Sequence, residues 1–314
     1  MTQSFPPYLT ITSGFMFDCH HIFLIAAASA ADLGELSDVE LIARDPVLRL
    51  VGISFFLIGL ACDTWLLARY FSKRHPPLTG LVTAKPWGAV ELWSGIAAFF
   101  AGNAFLQVLI LALPIPAASL WHAILAGNIL INTLLLLLLS IYLRWRGVSW
   151  QTAFGGDTPP PFHPILAGVI GYFAIIPPLA IITQLVQLIC RVLDIPATPQ
   201  PIAELLATSG SVTIVGLIVA LAVLVAPVFE EILFRGLAYP VLKKRWGLWR
   251  ALVFVSLIFA VIHLHAPSAA ALLVLGIALG LAYETTGSIL TPITMHSLFN
   301  TANVFVLLHL RSAP

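Results

Sequence analysis

Charge is what this sequence has least of. Only 9% of its 314 residues are Asp, Glu, Lys or Arg, against 60% hydrophobic, where a soluble domain carries roughly 25% charge. That excludes an ordinary soluble enzyme and leaves a polytopic helical membrane protein. The net charge of +1 offers no basic surface, which excludes nucleic acid as a partner. Cysteine is scarce: Cys19, Cys62 and Cys190 stand far apart without metal-ligand spacing and read as apolar filler. No His-Glu-x-x-His motif occurs, so a direct zinc signature is missing. Residues 1–7 contain no Lys or Arg, unlike a cleaved signal peptide. No internal repeat is visible, which weakens a transporter reading.

What is present is a succession of apolar runs of spanning length. They fall near 47–67, 90–113, 118–143, 164–190, 211–234, 248–265, 268–284 and 289–310. The expected fold class is all-α: a polytopic transmembrane bundle of about eight spans, multi-pass in the membrane and in the plasma membrane if bacterial. The seventh run is short and needs the last packed beside it. A weaker run at 9–31 contains Asp18, His20 and His21, and either spans or lies in the interface. Loop charge orients the spans. Arg69, Lys73, Arg74, Lys85, Arg144, Arg146, Arg235, Lys243, Lys244, Arg245 and Arg250 fall on one side if the eight alternate; Arg44, Arg49, Arg191 and Arg311 fall on the other. The positive-inside rule puts the first group in the cytoplasm.

The clearest break is Gly155-Gly-Asp-Thr-Pro-Pro-Pro161, where helix cannot continue. It divides an N-terminal region, 1–157, from a C-terminal one, 158–314. Pro177-Pro178 and Pro227 are expected to kink their spans, and Pro227 to free a backbone carbonyl near Glu230. In the N-terminal half Asp63, Glu91, Asn103, Asn128 and Asn132 read as structural. Asn128 and Asn132 share a helix face and look like interhelical glue; Asp63 and Glu91 lie near span ends.

Two adjacent carboxylates, Glu230 and Glu231, end an apolar run from Val212 to Phe229. At bilayer depth each costs about 2.5–3.5 kcal/mol by insertion scales. Successive helical residues point about 100° apart, so the two have different surroundings. Arg235, four residues on from Glu231, lies in ion-pair reach of it; Glu230 has no such partner in its helix and is left to face a polar cavity. The bland alternative is a solvated pair at the membrane interface. Later runs hold two further pairs at four-residue spacing, Phe259 with His263 and His296 with Asn300; His265 points elsewhere. A lone His in an apolar helix is more often a satisfied core residue, but three helices each bearing such a pair are harder to dismiss.

This pattern resembles the CPBP family, the CAAX-protease and bacteriocin-processing intramembrane proteases. Its motifs stand here in order as Glu230-Glu231…Arg235, Phe259…His263 and His296…Asn300, and the run Glu284-Thr-Thr-Gly-Ser-Ile-Leu is also similar to the family. The likeness covers about residues 210–305. It implies a helical bundle enclosing an active site and an intramembrane endopeptidase acting on a membrane-associated protein or peptide in the lipid bilayer.

The residues suit that chemistry. Peptide hydrolysis needs a base for water and donors for the oxyanion. Glu230 is the candidate base, His263 positions the same water, and His296 and Asn300 donate to the oxyanion; Glu231, Arg235 and Phe259 support them. Glu230, His263 and His296 also form a candidate ligand set for a divalent metal such as zinc, with water as fourth ligand, although a water activated by glutamate is preferred. Competing readings are a non-catalytic membrane scaffold or bacteriocin-immunity protein, and a proton-coupled transporter using Glu230 and the histidines as a relay.

Overall fold

The computed structural model describes residues 45–71, 82, 85–155, 163–194 and 201–312. The weak run at 9–31, with Cys19, and also Arg44, Lys73, Arg74 and the break at 156–161 lie outside the described residues. Every regular element described is helical: α1 Pro46–Phe71, α2 Ala89–Ala112, α3 Leu120–Trp145, the short α4 Trp150–Phe154, α5 Pro164–Val192, α6 Pro201–Thr208, α7 Val212–Trp246, α8 Leu248–Val261, α9 Ala266–Thr286 and α10 Leu290–Ser312. Helix is the physical solution here, because lipid offers no partner for an unpaired N–H or C=O.

Among the described residues seven helices are long and apolar enough to cross a membrane. The expected sixth span is the exception. Helix α8 has 14 residues, about 21 Å at the helical rise, short of a hydrocarbon core of about 30 Å. It stops at Val261, and Leu264 turns the chain with φ of 51°. Large apolar side chains such as Leu50, Phe71, Val90 and Leu111 are exposed on the outer helices, a surface suited to lipid.

Polar contacts sort the helix ends into two groups. His309 Nε2 meets Asp45 Oδ2 at 3.0 Å, joining the start of α1 to the end of α10. At the other end Lys85 Nζ donates to Gly155 O at 3.0 Å, Lys243 Nζ to Val82 O at 2.9 Å and Ile289 N to Phe154 O at 2.9 Å. The helices therefore run up and down in alternation. Asp45 also caps α1, accepting from the Val47 and Leu48 N–H groups. The Leu48 bond and the His309 contact hold its carboxyl below the usual carboxylate range.

The two halves share one core. Leu92, Phe99, Leu143 and Phe154 pack with Phe229, Leu233, Phe259 and Leu279. A second apolar cluster joins Ile124 and Leu125 to Ile218, Leu221, Val304 and Leu307.

Prolines reshape two helices differently. Helix α5 continues as one helix through Pro177 and Pro178, the prolines expected to kink it. The carbonyl that Pro177 cannot bond, Phe173 O, faces Gly59 of α1, where a Cβ would lie only 2.6 Å from it. The glycine lets α1 come up against the freed carbonyl. In α7 the turns widen to π geometry over Ala220–Val225 and Ile232–Ala238, each ending two residues before a proline. Pro227 and Pro240 have no N–H, and a proline ring crowds the carbonyl four residues back; a wide turn relieves that crowding, and such turns recur at functional sites.

Candidate active site

Helix α7 runs on to Trp246, so Glu230 and Glu231 lie deep within it, about 24 Å from that end for Glu230. Both are buried, at 3% and 0% exposure. Arg235 is buried as well. It is a residue of the span's interior and leaves the set of loop cations, because the span extends eleven residues past it.

Glu231 Oε1 accepts from Arg235 Nη1 at 2.8 Å and meets His296 Nδ1 at 2.8 Å. One carboxylate oxygen thus ties the α7 arginine to the α10 histidine. Arg235 Nη2 donates to Gly276 O of α9 at 3.0 Å, so the guanidinium fixes a third helix. Phe259 of α8 lies beneath the cluster. Its ring centroid is 4.6 Å from Arg235 Cζ, 4.8 Å from the His263 ring and 6.0 Å from the His296 ring. A cation over an aromatic face is attracted by the ring quadrupole, so Phe259 seats the arginine and both histidines. Glu230 has His263 and Arg235 as its electrostatic neighbours.

His263 is not on the α8 helix face that its spacing predicts. It sits in the turn just after the helix, and its Nδ1 hydrogen-bonds Phe259 O. The end of any helix leaves carbonyls of its last turn without main-chain partners, and this imidazole supplies one. A carbonyl can only accept, so in the neutral ring Nδ1 carries the proton and Nε2 presents the lone pair. His265 instead pairs with Ser268 Oγ at 2.8 Å, away from the cluster.

Asn300 Nδ2 donates to Ala222 O at 2.7 Å. Across the wide turn Ala226 N–H reaches back five residues to Leu221 O. The next bond in that series runs from residue 227 to Ala222 O, and Pro227 has no N–H to make it. Asn300 takes its place. Pro227 was expected to free a carbonyl near Glu230; the carbonyl it leaves is Ala222 O, eight residues before Glu230, and Asn300 binds it. The expected oxyanion donor has one of its two amide N–H groups engaged in this way.

In the N-terminal half, Glu91 pairs with Arg146 at 3.1 Å and caps α2 through Gly88 N at 2.9 Å; Asp63 is half-buried. Asn103 and Asn128 bond back to Phe99 O and Ile124 O of their own helices. Asn128 thus engages one amide N–H with its own helix: the carbonyl four residues back is always within reach, whereas a partner on another helix depends on packing.

Two buried polar residues, Glu284 and Asn303, were given no role from the sequence. Buried Glu284 accepts from Tyr239 Oη at 2.7 Å and pairs with Lys243, fastening the far end of α7 to α9. Asn303 is fully buried one turn beyond Asn300. The signal for both was a polar residue inside an apolar run.

Glu230, His263 and His296 are the candidate ligand set should a divalent metal such as zinc be bound. Among the described residues no three His, Cys, Asp or Glu side chains are grouped so that they could hold a metal ion. In this arrangement the three do not fit a ligand set.

No curated protein and no solved structure matches the chain. Residues 212–302 match the family model described as type II CAAX prenyl endopeptidase Rce1-like. The match spans α7 to α10 and contains Glu230, Glu231, Arg235, Phe259, His263, His296 and Asn300. Within this multi-pass integral membrane protein, residues 212–302, under a third of the chain, are similar to the type II CAAX prenyl endopeptidase Rce1-like family.

Proposed function

We propose that the protein is an intramembrane endopeptidase that hydrolyses a peptide bond of a membrane-associated protein or peptide through a water activated by Glu230. The observation that carries this reading is the convergence at Glu231. Three separated motifs meet around it: Arg235 and His296 bond Glu231, and the Phe259 ring lies against Arg235, His296 and His263. A metabolically inert helix bundle has no need of such a buried charge network, which insertion scales penalise. The family description, a CAAX prenyl endopeptidase, supports a substrate held at the membrane.

Glu230 takes a proton from the water as it attacks the carbonyl carbon, and returns it to the leaving amine. His263, with Nδ1 on Phe259 O, turns Nε2 toward that water. His296, held through Nδ1 by Glu231, donates from Nε2 to the oxyanion when protonated. The Asn300 amide is the second donor. Phe259, Arg235 and Glu231 fix these groups in place. Glu230, His263, His296 and Asn300 are at most 3% exposed, so substrate and water reach them only as helices part.

The test is substrate trapping in membranes with Glu230→Gln. The variant should fold, lose cleavage and retain a protein that the wild type releases as fragments. Retained cleavage would remove Glu230 as the base. Exhaustive chelation should leave turnover largely intact. Activity that is lost to a chelator and restored by stoichiometric zinc would replace the glutamate mechanism with a metal-bound hydroxide.

A further inference from the structure

Asn303 is fully buried, and among the described residues neither its Nδ2 nor its Oδ1 has a hydrogen-bond partner. Most buried polar atoms in folded proteins are paired, and two on one side chain call for a reason. Its helix neighbours indicate one. His296, Asn300, Asn303 and Leu307 recur at four, three and four residues, which is one face of α10. That face meets α7: His296 bonds Glu231, Asn300 bonds Ala222 O, and Leu307 packs in a cluster with Ile218 and Leu221. Asn303 thus continues the stripe that carries two proposed site residues.

A substrate drawn between membrane helices must unwind at the bond to be cut. Its freed N–H and C=O groups then have no water to pair with. A primary amide answers both, accepting through Oδ1 and donating through Nδ2. Asn303 lies seven residues from His296, roughly 10.5 Å along the helix. An extended chain advances about 3.3 Å per residue, so that distance is about three substrate residues. We infer that Asn303 binds a peptide group of the substrate about three residues from the scissile bond. This rests on the endopeptidase reading above. The residue is buried to the same degree as Glu230 and Asn300, so the same opening admits substrate to all of them.

The probe is a pool of quenched-fluorescent membrane-spanning peptides, from which a cleaved member is taken forward. Asn303→Leu removes the amide at similar volume. It is expected to keep or raise the melting temperature in detergent, because nothing in the protein loses a partner, and to lower kcat/KM by at least about tenfold. Methylating backbone nitrogens of the peptide one at a time should reveal a position about three residues from the cut where the wild type loses as much. That position should cost nothing further in Asn303→Leu. A lower melting temperature with no sensitive position would assign Asn303 to structure and overturn the inference, as would unchanged kcat/KM. If the wild type cleaves no peptide in the pool, the endopeptidase reading fails by itself. Binding of the same peptides, followed by anisotropy, then decides Asn303 separately: methyl-sensitive binding lost in Asn303→Leu supports the role, and equal binding by both proteins overturns it.

Discussion

At the scale of single residues, the proposed mechanism assigns chemistry to one of the two adjacent glutamates and support to the other. Glu231 Oε1 is shared by Arg235 and His296, and all three are buried. Breaking a buried pair by removing one partner costs about 3–5 kcal/mol. Glu231→Gln is therefore expected to melt well below the wild type, and Arg235→Gln to do the same. The double variant should lose less than the two single losses added together, because the second change removes a charge already stranded by the first. Glu230→Gln should melt close to the wild type and lose turnover. Melting in detergent and turnover of the four variants check this; simple additivity at Glu231 and Arg235 would defeat the division.

At the scale of helices, the wide turn of α7 ties main-chain geometry to the site. Pro227 leaves Ala222 O without its main-chain donor, and Asn300 fills the gap. Asn300→Leu leaves that carbonyl unpaired, which costs about 1–3 kcal/mol, and should lower kcat by about 10²–10³. Adding Pro227→Ala restores an N–H at the right place. The pair of changes should recover stability without recovering turnover; recovery of both would mean that Asn300 serves only the backbone. A second prediction concerns the seam between α5 and α10. A Cβ on Gly168 would lie 2.7 Å from Thr291 O, a backbone atom that cannot swing aside. Gly168→Val should destabilise by about 1–3 kcal/mol, read as a lower melting temperature. Gly52→Val, with nothing within 4 Å of its Cβ position, should leave melting near the wild type and serves as the control.

At the scale of the whole molecule, the alternation of helix ends makes loop charge informative. With Arg235 moved into the bundle, the loops at 69–85 and 243–250 still contain Arg69, Lys73, Arg74, Lys85, Lys243, Lys244, Arg245 and Arg250, and are expected in the cytoplasm. Cysteines placed in either loop should resist an impermeant thiol reagent applied to intact cells. Efficient labelling of one of them would reverse the orientation, and with it the face from which substrate arrives.

What the sequence determined by itself was whatever depends on neighbours along the chain. Apolar length set the helices, since lipid allows few other ways to pair a backbone. The four-residue step set the Glu231–Arg235 pair, since helical pitch places those side chains together in any context. The order of the three motifs located the region that matches the family. Tertiary structure alone decided which distant groups meet. That Glu231 also holds His296, that Asn300 answers a carbonyl 78 residues away, and that Arg235 reaches Gly276 O depend on how helices pack, which no local period encodes. The short α8 belongs to both. Its apolar run continues to His265 in sequence, yet the helix stops at Val261. His263, itself buried between exposed Val261 and Leu264, completes the open end through Phe259 O, so the last turn of a helix too short to span is held where it ends.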